Sequence, residues 1–270
     1  MKKYRILILV IMILQTLNIA AYDCKVNGIC YNLDLQNMTA SVSEGNHDIS
    51  GNGYLKIPST FNFKGHVFKV TSVGRHAFED NSDLKSIDLG NSITVIEAWA
   101  FQRCKNLKSI NFENVDKIEG YAFCDCSSLE NINIKDVSII QLGAFDNCSK
   151  LTSIEIGTVK NLSDLVFGHC YSLTFLKINS VEKIESWAFS YCPNLTHIEI
   201  INVNMIDYDA FEQTTNLKTL ILHNITPPKV SGNPFPKLAL FATLKVPSES
   251  IEKYKKDSFW KKFLTIDKCD

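Results

Sequence analysis

A small residue followed by phenylalanine recurs seven times in this chain, at Ala77-Phe78, Ala100-Phe101, Ala122-Phe123, Ala144-Phe145, Val166-Phe167, Ala188-Phe189 and Ala210-Phe211. Successive phenylalanines are 23 residues apart once and 22 apart five times. An apolar skeleton travels with each of them. A leucine follows six residues on, from Leu84 to Leu217. Pairs such as Ile132/Ile134 and Ile154/Ile156 follow at nine and eleven residues, and Val73, Ile96, Ile118, Ile140, Leu162, Ile184 or Ile206 stands five residues before. One repeat of this length cannot bury its own apolar side. A fixed period with one skeleton per period therefore predicts a solenoid, in which neighbouring turns supply each other's core.

Within a repeat, Leu107 to Phe112 alternates apolar and polar residues and reads as a half-buried strand. A corner and a short second strand around Val115 and Ile118 follow it. The stretch from Ile96 to Cys104 spaces its apolar residues as one or two turns of α- or 3₁₀-helix would. Strands of successive rungs lie parallel, and the phenylalanines fill the inside.

The period divides the chain into a signal over 1–21, an N-terminal β cap over 22–69, seven repeats over 70–225 and a C-terminal cap over 226–270. The first residues carry Lys2, Lys3 and Arg5 ahead of an apolar run from Ile6 to Leu14, the pattern of a secretory signal ending near Ala20 and Ala21. An uncleaved anchor is the alternative. Cys24 as a lipid acceptor is disfavoured by Asp23 before it. Tyr22 to Leu35 reads as a hairpin about Asn27-Gly28, Tyr54 to Ile57 as a strand, and Phe63 to Val70 as a second hairpin arm turning at Gly65. After Ile225 the prolines break the pattern. A last strand over Ala242 to Val246 and a helical stretch from Ser250 to Phe263 offer Ile251, Tyr254, Phe259 and Phe263 to close the far end. Open solenoid ends expose apolar side chains and strand edges, so both ends need covering.

The unit Ile-x-x-x-Ala-Phe-x-x-Cys-x-x-Leu-x-x-Ile-x-Ile, present at Ile184 to Ile200 and Ile140 to Ile156, resembles the BspA-type leucine-rich repeat. The resemblance covers about Lys69 to Asn224. Thr226 to Pro228 and the stretch from Leu244 through Tyr254 to Phe263 also resemble the terminal segment of secreted bacterial members. The Asn or Cys that usually follows the strand in leucine-rich repeats is missing; the cysteine precedes the strand instead, as in this subfamily. The resemblance implies a right-handed leucine-rich repeat solenoid with parallel β-strands and short helical turns. It also implies an exported protein that acts as a binding or adhesion surface, some members recognising host extracellular-matrix proteins or neighbouring cells, and it brings no catalytic motif.

Chemistry of other kinds finds little support. The formal net charge of -1 gives no electrostatic case for nucleic acid or an anionic membrane. Cys104, Cys126, Cys148, Cys170 and Cys192 each follow their phenylalanine by three residues. Stacked about 4.8 Å apart with parallel vectors, they suit buried thiols better than disulfides or a tetrahedral metal site. Cys24 and Cys30 flank the Asn27-Gly28 turn diagonally, and a bridge between them needs a bulged hairpin. The six histidines form no ligand pair at helical spacing, and no phosphate loop or nucleophile elbow occurs. Five Asn-x-Ser/Thr sequons, beginning at Asn37, Asn147, Asn161, Asn194 and Asn224, are attributed to chance. The expectation is a secreted or cell-surface monomer without cofactor or metal that recognises a protein or glycan and is not an enzyme. A structural surface component without a ligand, or a hydrolase with an unrecognised site, stands as the alternative.

Positions eight and ten after each phenylalanine point away from the core and tile one exposed sheet. Early rungs carry small polar residues there, such as Ser109/Asn111 and Asn131/Asn133; later ones carry Phe175/Lys177, His197/Glu199 and Thr219/Ile221. Phe175, Lys177, His197, Glu199 and Ile221 are the candidate binding surface, with drift on a solvated sheet as the competing explanation. Trp99, Tyr121 and Trp187, two residues before their phenylalanines, form a second candidate column whose rings could simply cover the turn side.

Overall fold

The computed structural model describes residues 22–236 and 241–269; the expected signal over 1–21 lies outside them. The repeats pile into parallel rungs. In the four central rungs, Asn131–Ile140, Ser153–Leu162, Phe175–Ile184 and His197–Ile206 are ten-residue strands paired in register. Each is the predicted strand and second strand run together. Their buried positions, as in Ile132, Ile134, Val137 and Ile140, step by two and then by three, because the strand bends round a corner and keeps one edge facing inward. In the first rungs the two pieces stay separate. Val95–Ile96 and Lys117–Ile118 belong to a fifteen-stranded sheet that runs through the stack, whereas Tyr54–Lys56, Ser86–Asp88 and Ser109–Ile110 form a three-stranded sheet of their own.

The segment around each phenylalanine is not the helical turn its spacing suggests. The residues two before and two after every repeat phenylalanine have positive φ, from His76 (57°) and Asp80 (58°) through Asp209 (53°) and Gln213 (56°). Such a conformation costs roughly 1–2 kcal/mol in a non-glycine residue. It turns alternate amides toward the next rung: the N–H groups of Trp99, Phe101 and Arg103 donate to the carbonyls of Gly120, Ala122 and Cys124, and the amides between them close tight turns within the rung. The inter-rung bonds offset the backbone strain. Helix among the described residues is confined to the C-terminal end, at Ser248–Ser250, Ile251–Lys256 and Trp260–Lys262.

All seven repeat phenylalanines are buried and stack nearly parallel, with successive centroids 5.0–5.4 Å apart. Phe235, outside the repeats, adds an eighth ring 4.8 Å beyond Phe211. The five column cysteines are buried and free. Each thiol donates to the carbonyl of the phenylalanine one rung earlier, from Cys104 to Phe78 O (2.9 Å) to Cys192 to Phe167 O (3.3 Å). The hydroxyl of Thr214 continues the column onto Phe189 O (3.1 Å). A small side chain with a hydrogen to give to a buried carbonyl is what the position selects. Burial pushes the Cys104 thiol up to about 12, so it stays protonated.

At the N-terminal end, Cys24–Val26 and Ile29–Asp34 form the expected hairpin on Asn27 (φ 48°) and Gly28 (φ 82°). It is not bulged: Cys24 lies opposite Tyr31 and Lys25 opposite Cys30, and both cysteines are free. Thr39–Val42 carries the ladder onward by pairing parallel with His66–Val73. His47 closes the aromatic column, its ring 4.4 Å from Phe78. Its Nδ1 accepts the Cys30 N–H (3.3 Å) while Nε2 lies 3.0 Å from Ala77 O, a pairing that requires the neutral ring with the proton on Nε2.

Burial holds the His47 pKa below its ordinary 6.5. The unfolded chain therefore takes up a proton at a pH where the folded chain does not, and the stability from neutral His47 is complete above about 6.5 and lost as the pH falls below it. Between pH 7 and 5 the melting temperature of the native protein is expected to fall more steeply than that of His47→Gln, which does not titrate. Equal slopes in the two melts would show that His47 is not held neutral.

Candidate functional site

The outer strand face brings the predicted residues together. Ladder register places Phe175 beside His197 and Thr219, and Lys177 beside Glu199 and Ile221. The Phe175 and His197 rings stack at 5.3 Å and 13°. Lys177 Nζ lies 3.6 Å from Glu199 Oε2, and the other carboxylate oxygen accepts from His223 Nε2 at 3.1 Å. Phe175, Lys177, His197, Glu199, Ile221 and His223 are all half-buried. Phe175, Lys177, His197, Glu199 and His223 each meet a side chain one rung away yet keep a surface open to solvent. His223 was not among the candidates because it stands at the corner after its strand; only the rung-to-rung register brings its ring back over Glu199.

The second column is divided. His76 and Trp99 are parallel at 5.2 Å, Trp99 and Tyr121 at 6.4 Å, and the Arg75 guanidinium lies 4.8 Å over Trp99. At Gly143 (φ 59°) the series stops, since a Cβ there would sit 2.5 Å from the Tyr121 ring. Trp187 is apart from them, edge-on to Tyr208 at 5.4 Å. With their faces turned to each other over the turns, Trp99 and Tyr121 are both half-buried.

One polar pair escaped the sequence. His169 Nδ1 and Asp146 Oδ1 are 2.8 Å apart, burial holds the Asp146 carboxyl above the usual range, and Tyr191 stacks on His169 at 4.9 Å. Ser190 on the next rung completes the residue types of a hydrolytic triad but not its geometry: its hydroxyl is buried and makes no hydrogen bond among the described residues. Those residues also hold no cluster of three or more metal-ligating side chains, and none of their helices is long and apolar enough to cross a membrane.

The model of the BspA type leucine rich repeat region matches six copies, over residues 59–174 and 116–238. The chain belongs to the BspA-type leucine-rich repeat family. A leucine rich cell surface protein of Faecalibacterium prausnitzii has a similar fold, with a TM-score of 0.57 at 17% identity over 94% of this chain and 96% of its own. The T. pallidum leucine rich repeat protein gives 0.55 at 20% identity over 67% of this chain and 86% of its own. A leucine-rich repeat protein from Bacteroides ovatus gives 0.52 at 17% over 92% and 77%. A comparison with curated proteins finds no match. Membership of this BspA-type family accounts for the rung and points to a surface or protein-interaction role; solenoids of this kind are typically not catalytic.

Proposed function

We propose that this is an exported, surface-acting recognition protein whose strand face, centred on Phe175, Lys177, His197, Glu199 and Ile221, contacts an extracellular protein. The observation that carries the proposal is the Phe175–His197 stack beside the polar chain of Lys177, Glu199 and His223. Earlier rungs carry Ser86/Asp88, Ser109/Asn111, Asn131/Asn133 and Ser153/Glu155 at the same positions, so the aromatic rings are concentrated on one part of the sheet. Side chains already immobilised by their neighbours lose little further entropy on binding, and half-buried aromatics flanked by paired charges suit an interface centre.

The test is retention of purified extracellular-matrix proteins on the immobilised chain, comparing the native protein with Phe175→Ala/His197→Ala. At about 1.4 kcal/mol per tenfold, loss of two central contacts is expected to weaken retention at least tenfold. Undiminished retention by the folded double variant would remove this patch from the interface.

A further inference from the structure

The ladder is interrupted at one step of the strand face. Ser109–Ile110 pairs with Ser86–Ile87 on one side, but no strand pairing joins it to Asn131–Ile134 on the other. The bond at the strand mouth reports the same opening. It measures 2.8 Å from Lys108 N to Lys85 O and 2.8 Å from Thr152 N to Glu130 O, but 3.5 Å from Glu130 N to Lys108 O between them. Ile110 is partly exposed, whereas its counterparts Ile87, Ile132, Ile154, Leu176 and Ile198 are buried.

Phe112 explains the gap. Its equivalents are Leu89, Ile134, Ile156, Ile178, Ile200 and Leu222, all smaller. The larger ring reaches edge-on to Phe123 at 5.6 Å and Phe145 at 6.0 Å, two rungs away, and wedges the strand arms apart. The opening is confined to that arm. Phe101 and Phe123 still stack at 5.0 Å, and Lys117–Ile118 still pairs with both Val95–Ile96 and Ile139–Ile140.

Over the gap lies an open slot of about 500 Å³, in the size range of small-molecule sites. The open part of its floor is Ile110, with Phe112 and Ile132 almost covered beneath it; its rim carries Asn131, Asn133, Lys135, Glu113 and Glu155. The Asn131 amide oxygen accepts from the Ser153 hydroxyl (2.8 Å) and shares the Thr152 hydroxyl (3.0 Å) with the Glu130 carbonyl (3.1 Å), leaving its N–H groups to donate. Among the described residues, the side chains of Asn133, Lys135, Glu113 and Glu155 have no hydrogen-bond partner.

We infer that this slot binds one sugar unit of a neutral glycan. An inserted peptide strand would need about 4.8 Å on each side, nearly double the rung spacing that the Phe101–Phe123 stack fixes. A strongly charged ligand would meet carboxylates and an ammonium together. Neutral hydroxyls, which donate and accept, match a rim that offers amide and ammonium N–H groups and carboxylate oxygens over an apolar floor. The inference does not depend on the Phe175–His197 patch, which lies on later rungs.

The test is titration of the full chain with maltohexaose, cellohexaose, xylohexaose and mannohexaose. At least one is expected to bind, with affinity falling at least tenfold in Asn133→Ala/Glu155→Ala, whose melting temperature stays that of the native protein. Phe112→Ile, which removes the wedge, is expected to close the slot and abolish binding. Phe175→Ala/His197→Ala is expected to leave it unchanged, which separates this site from the protein-binding face. Absence of binding by all four sugars, or binding that survives both slot variants, would overturn the inference.

Discussion

Phe145→Ala is expected to cost about 3–5 kcal/mol, the range for truncating a fully buried aromatic, and to lower the melting temperature by roughly 6–20 °C in a domain of this size. The ring lies between Phe123 at 5.0 Å and Phe167 at 5.2 Å, with the Phe112 edge at 6.0 Å. Neither neighbour can move into the space it leaves, because ladder bonds hold the rungs in register on both sides: Phe123 N to Ala144 O at 2.7 Å and Phe145 N to Val166 O at 2.9 Å. A stack whose stability is a sum of nearest-neighbour interfaces loses two interfaces at once. Circular dichroism melts check it. Phe175→Ala, on the outer face and stacked only on His197, is the control and should cost about 1 kcal/mol; equal losses in the two variants would mean that the buried column does not dominate the core.

What the sequence made legible is whatever repeats. Phenylalanine, leucine and isoleucine at fixed offsets are the groups that water expels, so periodicity alone located the core, the outward strand positions and the meeting of Phe175 with His197. The left-handed backbone at the turns was hidden because no residue type signals it. The positions before the phenylalanines hold His76, Trp99, Tyr121, Gly143, Leu165, Trp187 and Asp209, and a conformation imposed on so mixed a set comes from the rung-to-rung bonds and not from local preference. The ends were hard to read for a related reason. His47 and Phe235 each occupy the aromatic column once, outside any period, and only the folded stack shows that they belong to it. In the slot, the substitution was visible at Phe112, but its consequence depends on a ring reaching across two rungs.

The second large loss is expected at the far end, in Trp260→Ala. Trp260 is fully buried, edge-on to Phe235 at 6.3 Å and packed by Tyr254, Phe259 and Phe263 at 5.9, 5.2 and 5.8 Å. Its indole N–H donates to Pro228 O at 2.9 Å. Truncation removes about 3–5 kcal/mol of packing and also strands a buried carbonyl, worth about 1–3 kcal/mol more. The location of the damage distinguishes it from Phe145→Ala. Trp260 holds the segment that covers Phe235 and the last strands, Thr243–Val246 and Thr265–Lys268, so hydrogen exchange is expected to accelerate there and in Thr219–Leu222. Protection in Asn131–Ile140 persists, since that strand keeps both its neighbours and its share of the phenylalanine column. Uncovering the end also exposes an unpaired strand edge beside the apolar face of Phe235, the combination that promotes association between chains. Exchange that quickens uniformly from Thr39 to Lys268 would contradict this account, because it would make the stack one cooperative block in which the terminal plug and the central rungs cannot be told apart.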